Sequence, residues 1–313
     1  MRAMSDPAAA RRAIPGDAHV TTWAAADGWP LRRFDRAGAG RGRLLFQGGR
    51  GDVFEKYLET FAHWHARGWS VSAFDWRGQG GSGRLGRDPL VGHADDFAPW
   101  IADLEGFWRS WSTARDAQSC VIVGHSMGGF LTLRALADGA IRPRAAVLVA
   151  PMLGLRSPVG ARVGEGVARI MARLGDPARA AWKANERPGR MDRSRILTGD
   201  AARYADEAWW YERQPDLRLG PPSWAWLAAA FAGTRRLRAD PALARVETPV
   251  LMLVAACDAL VDPRAALAVA ARLPRCTVVR FGAESAHEIL READPVRDRA
   301  LAAIDAFLDE HAA

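Results

Sequence analysis

Along the chain, short continuous apolar runs alternate with longer stretches in which apolar residues recur every three or four positions. The runs are Leu44-Leu45-Phe46, Trp69 to Phe74, Cys120 to Val123, Ala145 to Ala150 and Val250 to Ala255. Runs of this length, apolar at nearly every position, predict strands covered on both faces. Thr277 to Phe281 is the last strand, and His19 to Ala26 with Leu31 to Phe34, joined across Asp27-Gly28, predict an N-terminal β-hairpin. Between the runs, Glu55 to Arg67 reads as a helix closed by Gly68. Behind Asp95 or Asp96 as cap, Phe97, Trp100, Ile101, Leu104, Phe107, Trp108 and Trp111 follow the spacing of one helical face, an aromatic stripe that reads as core. Pro263 to Leu273 and Pro295 to Glu310 are the closing helices. Strands separated by helices at this rhythm give an α/β class, with a mostly parallel central sheet and helices on both faces.

The rhythm breaks between Pro151 and Leu243. No strong strand pattern appears there; residues 159–174, 201–213 and 223–238 read as helices, the last behind Pro221-Pro222-Ser223. A helical insertion between two halves of a sheet predicts a cap or lid over residues 151–243. The core is then 18–150 with 244–313, and residues 1–17 form a flexible lead-in. Trp182, Trp209, Trp210, Trp224 and Trp226 all fall in the cap. Ligands of such sheets bind outside the carboxyl ends of the strands.

Composition changes this picture little. Nearly half of the 313 residues are hydrophobic and a quarter charged, as in an ordinary globular protein. The net charge of +7 invites a nucleic-acid partner, but the only lysines are Lys56 and Lys183, and the arginines are scattered along the chain with no run longer than two, so no nucleic-acid role is expected. Cys120, Cys257 and Cys276 are odd in number and are read as free core thiols in a reducing compartment. No run of about 18 apolar residues and no apolar signal core is present, so a cytoplasmic location is expected.

Chemistry enters at Gly124-His125-Ser126-Met127-Gly128, which follows the run Cys120 to Val123 and precedes the helical Phe130 to Leu136. Strand, G-x-S-x-G, helix is the setting of a nucleophile elbow, with Ser126 at its apex. Ser82, in a glycine-rich loop taken to be flexible, is a decoy. A serine nucleophile needs a histidine base and an acid to orient it. Of the seven histidines, His287 alone lies in a loop after the last strand, where the order nucleophile, acid, histidine requires it. His125 is the elbow's neighbour and would point away from the chemistry. Asp258, directly after Val250 to Ala255, is the acid; Asp262 is its competitor and could instead cap the helix at Pro263. The oxyanion needs backbone donors: Met127 supplies one, and Gly49, with Arg50 as the alternative, the second. No metal or cofactor is implied.

With these residues placed, the chain resembles the α/β-hydrolase family of bacterial lysophospholipases and monoacylglycerol lipases. The resemblance runs from about residue 20 to the end and rests on Gly51-Asp52-Val53-Phe54-Glu55-Lys56-Tyr57, Asp75-Trp76-Arg77-Gly78-Gln79-Gly80, Gly124 to Gly129 and His287-Glu288-Ile289-Leu290. In the cap, 197–204 and 219–226 are also similar to that family. It implies an α/β-hydrolase fold and hydrolysis of a single-chain acyl ester by Ser126, Asp258 and His287, with a small-molecule acyl ester or lipid as substrate; whether the cap makes a transient contact with a membrane surface is left open by the sequence. Two features depart from the family: Gln47-Gly48 stands where many relatives have His-Gly, and Gly220-Pro221-Pro222-Ser223 where they have Gly-Pro-Thr. An aminopeptidase, amidase or acyltransferase using the same triad is the alternative, and a non-catalytic binding protein of this fold would be expected to lack a triad residue.

Overall fold

The computed structural model describes residues 7–112, 119–182 and 194–312. Eight strands form one sheet: β1 (Ala18–Ala24), β2 (Pro30–Arg36), β3 (Gly42–Gln47), β4 (Trp69–Phe74), β5 (Cys120–His125), β6 (Ala145–Val149), β7 (Val250–Ala255) and β8 (Cys276–Phe281). Their order is β1-β2-β4-β3-β5-β6-β7-β8. The β1–β2 and β2–β4 pairs are antiparallel and the others parallel. The α-helices are α1 (Pro7–Arg11), α2 (Leu58–Ala66), α3 (Ala98–Ser112), α4 (Met127–Ala137), α5 (Ala161–Arg173), α6 (Ser194–Leu197), α7 (Ala201–Arg213), α8 (Trp224–Ala239), α9 (Pro263–Ala270) and α10 (Asp294–His311).

Because side chains alternate across a strand, each central strand feeds two apolar layers. Val121 and Val123 join Phe61, Trp64, Ile304 and Phe307 on the side of α2 and α10. Ile122 joins Trp100, Leu104, Phe107 and Leu131 on the side of α3 and α4. The aromatic stripe of α3 is therefore core, and two of its indoles find acceptors: Trp100 Nε1 donates to the Arg77 carbonyl and Trp111 Nε1 to Ser72 Oγ, both at 2.9 Å.

After β3 the chain crosses to β4 on one side, then returns to place β5 on the other. The crevice at the carboxyl ends of β3 and β5 is thus a topological switch point, where open α/β sheets bind ligands. Between β6 and β7 the described residues add no strand to the sheet. They carry α5 to α8, with α8 packed through Trp226 onto Phe97 at 5.7 Å between ring centres. Arg203 of α7 ties this segment to the body through Glu59, at 2.7 and 2.8 Å, and Asp294, at 2.6 Å. Residues 183–193 of the expected cap lie outside the described residues.

Several expectations need correction. The lead-in is not featureless: α1 sets Arg11 and Arg12 against the buried Asp206 carboxylate of α7, and Trp210 Nε1 donates to the Arg11 carbonyl at 3.1 Å. Ser82 lies in no flexible loop; it is buried, donating to the Asp75 carbonyl at 2.7 Å and accepting the Arg32 amide at 2.8 Å. The cysteines are free, but Cys257 is exposed, because the chain has left the sheet at Ala255, and Cys120 and Cys276 are only partly buried. Among the described residues, no helix is long and apolar enough to cross a membrane.

Candidate active site

The run Cys120 to His125 leaves the sheet as β5 and turns at once into α4, and the turn falls on Ser126. Its backbone, φ 51 and ψ −114, is a strained conformation for a residue with a side chain. The surrounding glycines make the turn possible. A Cβ on Gly124 would lie 2.7 Å from the Gly128 carbonyl oxygen, and one on Gly128 would lie 2.4 Å from that of Gln47. The strain is held by the Ser126 amide donating to the Val149 carbonyl and by the Ser126 carbonyl accepting from Phe130 and Met152.

His287, from the loop after β8, places Nε2 2.8 Å from Ser126 Oγ, and its Nδ1 lies 2.6 Å from Asp258 Oδ2. The other oxygen of Asp258 accepts the amides of Leu260 at 2.8 Å and Val261 at 3.0 Å, which fixes the carboxylate toward the histidine. Asp262 takes the alternative role: its side chain caps α9, accepting the Arg264 amide at 3.0 Å. Burial opposes the charge on both partners of the His287–Asp258 pair, but their mutual attraction and hydrogen bond outweigh it. The imidazole pKa is held above, and the carboxylate below, its ordinary value.

Met127 opens α4, a position whose amide has no acceptor within the helix, one residue beyond Ser126. Gly49 departs from expectation. Its amide donates to Asp52 Oδ2 at 2.7 Å, so it could reach an oxyanion only by breaking that bond. Its lack of a side chain still matters, since a Cβ there would lie 3.0 Å from Ser126 Cβ. The alternative, Arg50, also lines the site. The loop carrying both is pinned by the Asp75 to Gly80 motif: Trp76 Nε1 donates to the Gly48 carbonyl at 2.8 Å, and the Gly51 amide donates to Gln79 Oε1 at 2.6 Å. Tyr211 of α7 donates to the Gly51 carbonyl at 3.0 Å.

Sequence reasoning missed the charged cluster beside the histidine. Asp52 and Lys56, both buried, pair at 2.6 Å, and Lys56 also meets Glu288 at 2.7 Å and Glu207 at 3.0 Å. Arg291 closes the network on Glu288 and Glu207. Burial would raise the Glu288 pKa, but Arg291 and Lys56 bring it down to about 2. His125 does not turn away from the site as expected. Its Nδ1 lies 3.1 Å from Asp52 Oδ2 and 3.0 Å from the Tyr57 hydroxyl, and its ring stands 4.9 Å from that of His287. A signal was present in Gly51-Asp52 through Lys56-Tyr57, an acidic and a basic residue one helical turn apart, but their partners come from distant segments.

Ser126, His287 and this cluster open onto a cavity of about 720 Å³. On the cap side it is walled by Leu155, Val167, Ala168, Trp224, Trp226, Leu227 and Phe231, and from the body by Leu260 and Val261. Trp182 also borders it. Trp209 and Trp210 instead pack on each other at 5.0 Å, with Arg12 and Arg213 over Trp209. Among the described residues no group of His, Cys, Asp and Glu side chains could hold a metal ion.

Residues 18–294 match the family described as serine aminopeptidase, S33. Lysophospholipase L2 of Escherichia coli K12 is 32% identical over 281 residues, covering 84% of this chain and 79% of that protein. In three dimensions the chain is similar to the monoglyceride lipase of Saccharomyces cerevisiae, with a TM-score of 0.77, 19% identity, and coverage of 97% of this chain and 98% of that one. A carboxyl esterase from Bacillus coagulans gives a TM-score of 0.74 at 13% identity, over 96% and 100% of the two chains. The chain belongs to the serine aminopeptidase S33 family and is a serine hydrolase of the α/β-hydrolase fold.

Proposed function

We propose that the protein is a carboxylic-ester hydrolase acting on a single-chain acyl lipid, a lysophospholipid or a monoacylglycerol, with Ser126 as nucleophile, His287 as base and Asp258 as the orienting acid. The observation that carries this is the line Ser126–His287–Asp258, of which Ser126 and His287 border a cavity whose cap-side wall is mostly apolar. His287 Nε2 takes the Ser126 proton as Oγ bonds to the ester carbonyl carbon. The charge that develops on the carbonyl oxygen is met by the Met127 amide; a donor of this kind is worth about 3 kcal/mol of transition-state stabilisation. Collapse breaks the bond to the glycerol oxygen, which takes the proton from His287 and leaves as the alcohol. Water then attacks the acyl carbon, giving its proton to His287, and Ser126 Oγ recovers that proton as the fatty acid departs. Asp258 stays ionised throughout and stabilises the imidazolium between the proton transfers.

The relatives support this choice of bond, as does the wall: aliphatic and indole groups suit an acyl chain and exclude water from the acyl-enzyme. The test is a panel of p-nitrophenyl esters of rising chain length, set beside lysophosphatidylcholine, monoacylglycerol and aminoacyl anilides. The single-chain lipid esters should turn over fastest. Anilides turned over faster than every ester would overturn the proposal in favour of an aminopeptidase.

A transient contact of the cap with a lipid surface belongs to the same proposal. Helix α5 turns Val163, Ile170 and its neighbour Leu174 outward, at 56%, 58% and 62% exposure, with Val159 and Val167 on the same side bordering the cavity. Arg162, Arg169 and Arg173 are exposed along the same helix, which suits an anionic lipid surface.

A further inference from the structure

Resting on the triad reading, we propose that Glu292 is a positioning residue for the base, a carboxylate through which the cap segment 197–203 sets where His287 stands. The His287 carbonyl faces His125 Nε2 at 3.4 Å, and stronger bonds flank the residue on both sides. Before it, the Ala286 amide donates to Glu292 Oε1 at 2.6 Å. After it, the Glu288 amide donates to the Leu197 carbonyl, at the end of α6, at 2.7 Å. Glu292 joins the two holds, because its Oε2 accepts the Gly199 amide at 2.7 Å. One buried carboxylate thus bridges the amide that precedes the base and an amide of the cap. The glycine lets the cap backbone come this close, since a Cβ on Gly199 would lie 3.0 Å from Glu292 Oε2.

Around this bridge the same two segments are joined again. Thr198 Oγ1 donates to the Arg291 carbonyl at 2.7 Å, Arg203 Nη1 donates to the Glu292 carbonyl at 2.7 Å, and Arg291 Nη2 donates to the Arg203 carbonyl. Burial alone would not call for a carboxylate here, for Ile289 and Leu290 of the same turn are buried and apolar. The carboxylate fits the two amides that face it, and bonds to such an acceptor are roughly twice as strong as neutral ones. Lys56 fixes the Glu288 side chain from the body, whereas the amide before the base is answered by Glu292. His287 must keep Nε2 on Ser126 and Nδ1 on Asp258 together, and a misplacement of about 1 Å can cost on the order of 10²-fold in rate. Hydrolysis is thereby tied to a seated cap.

The alternative is that Glu292 only ties cap to body, in which case its loss lowers stability and leaves the base where it was. The test measures labelling by a fluorophosphonate, resolved into a maximal rate and a half-saturating concentration, in wild type, Glu292→Ala and Glu292→Gln. It is paired with the far-downfield proton NMR signal of the His287 Nδ1 hydrogen bonded to Asp258, and neither readout depends on which lipid is the substrate. Glu292→Ala should lower the maximal rate about 10- to 100-fold with half-saturation within about twofold, and should shift or broaden the NMR signal. Glu292→Gln keeps one acceptor oxygen and should fall between the two, at least about threefold below wild type; it carries the test alone if Glu292→Ala does not fold. A folded variant labelled at a maximal rate within about twofold of wild type overturns the assignment, whatever its stability. So does a slower variant whose NMR signal is unmoved. A wild-type protein that is not labelled fails the triad reading instead, and this inference with it.

Discussion

The carboxylate of Asp52 accepts the amide hydrogen of Gly49 at 2.7 Å, and the same oxygen accepts the Tyr57 hydroxyl at 2.8 Å. Asp52 thereby couples the loop beside Ser126 to Lys56, Glu207, Glu288 and Arg291, a network that reaches the residue next to His287. One buried side chain thus takes part both in holding the loop and in the network's charge balance.

Breaking the Asp52–Lys56 pair should therefore be costly. Lys56→Met leaves three carboxylates facing Arg291 in a buried setting, and loss of one partner of a buried pair typically costs about 3–5 kcal/mol. In urea unfolding, Asp52→Asn with Lys56→Met should cost at least about 2 kcal/mol less than the sum of the single variants. Additivity to within about 0.5 kcal/mol would show that the two do not interact.

The pH dependence follows from His287. As base it must be neutral, and although burial lowers its pKa, the charge and hydrogen bond of Asp258 raise it above the ordinary 6.5. The acid limb of kcat/KM should accordingly have its midpoint above 6.5, activity being lost as pH falls through it. Asp258→Asn removes the anion responsible, so the midpoint should move down, while kcat falls on the order of 10⁴-fold as the imidazole loses its orienting partner. An unmoved midpoint would contradict the pairing.

At the elbow, Gly128→Ala drives a Cβ to 2.4 Å from the Gln47 carbonyl oxygen and 2.5 Å from that of Gly48, both backbone atoms at the end of β3. The cost should be about 3 kcal/mol. Gly139→Ala, at φ +71 with nothing within 4 Å, should cost only about 1–2 kcal/mol of backbone strain. Thermal unfolding of the two variants gives the ranking, and equal Tm values would show that the elbow yields more readily than its contacts imply.

For the cap, Val163→Glu with Ile170→Glu should weaken sedimentation with anionic vesicles at least about tenfold while leaving turnover of a short soluble ester within about twofold, since neither side chain lines the cavity. Unchanged vesicle binding would remove the membrane contact from the account.

Much of this was legible in the sequence because the central sheet is written in runs that have no other good use. Trp69 to Phe74 and Val250 to Ala255 are strands over those same residues. Ser126, His287 and Asp258 are likewise brought together in space, since elbow, final loop and post-strand turn are local features with fixed places in the chain order. What could not be read are side-chain relations across the fold. Arg11 and Arg12 looked like a loose lead-in until Asp206, nearly two hundred residues on, received them. Gly49 looked like a free amide because nothing local says that Asp52 turns back onto it. Ser82 looked mobile because its partners, Asp75 and Arg32, are set by the packing of β2 against β4.

The central claim is acyl transfer through Ser126, and its most direct measurement is labelling by a fluorophosphonate followed by peptide mapping. The account predicts a single label on Ser126, lost in Ser126→Ala and slowed by competing lysophosphatidylcholine or monoacylglycerol. Full labelling of Ser126→Ala, or a label mapped to another residue, would contradict it.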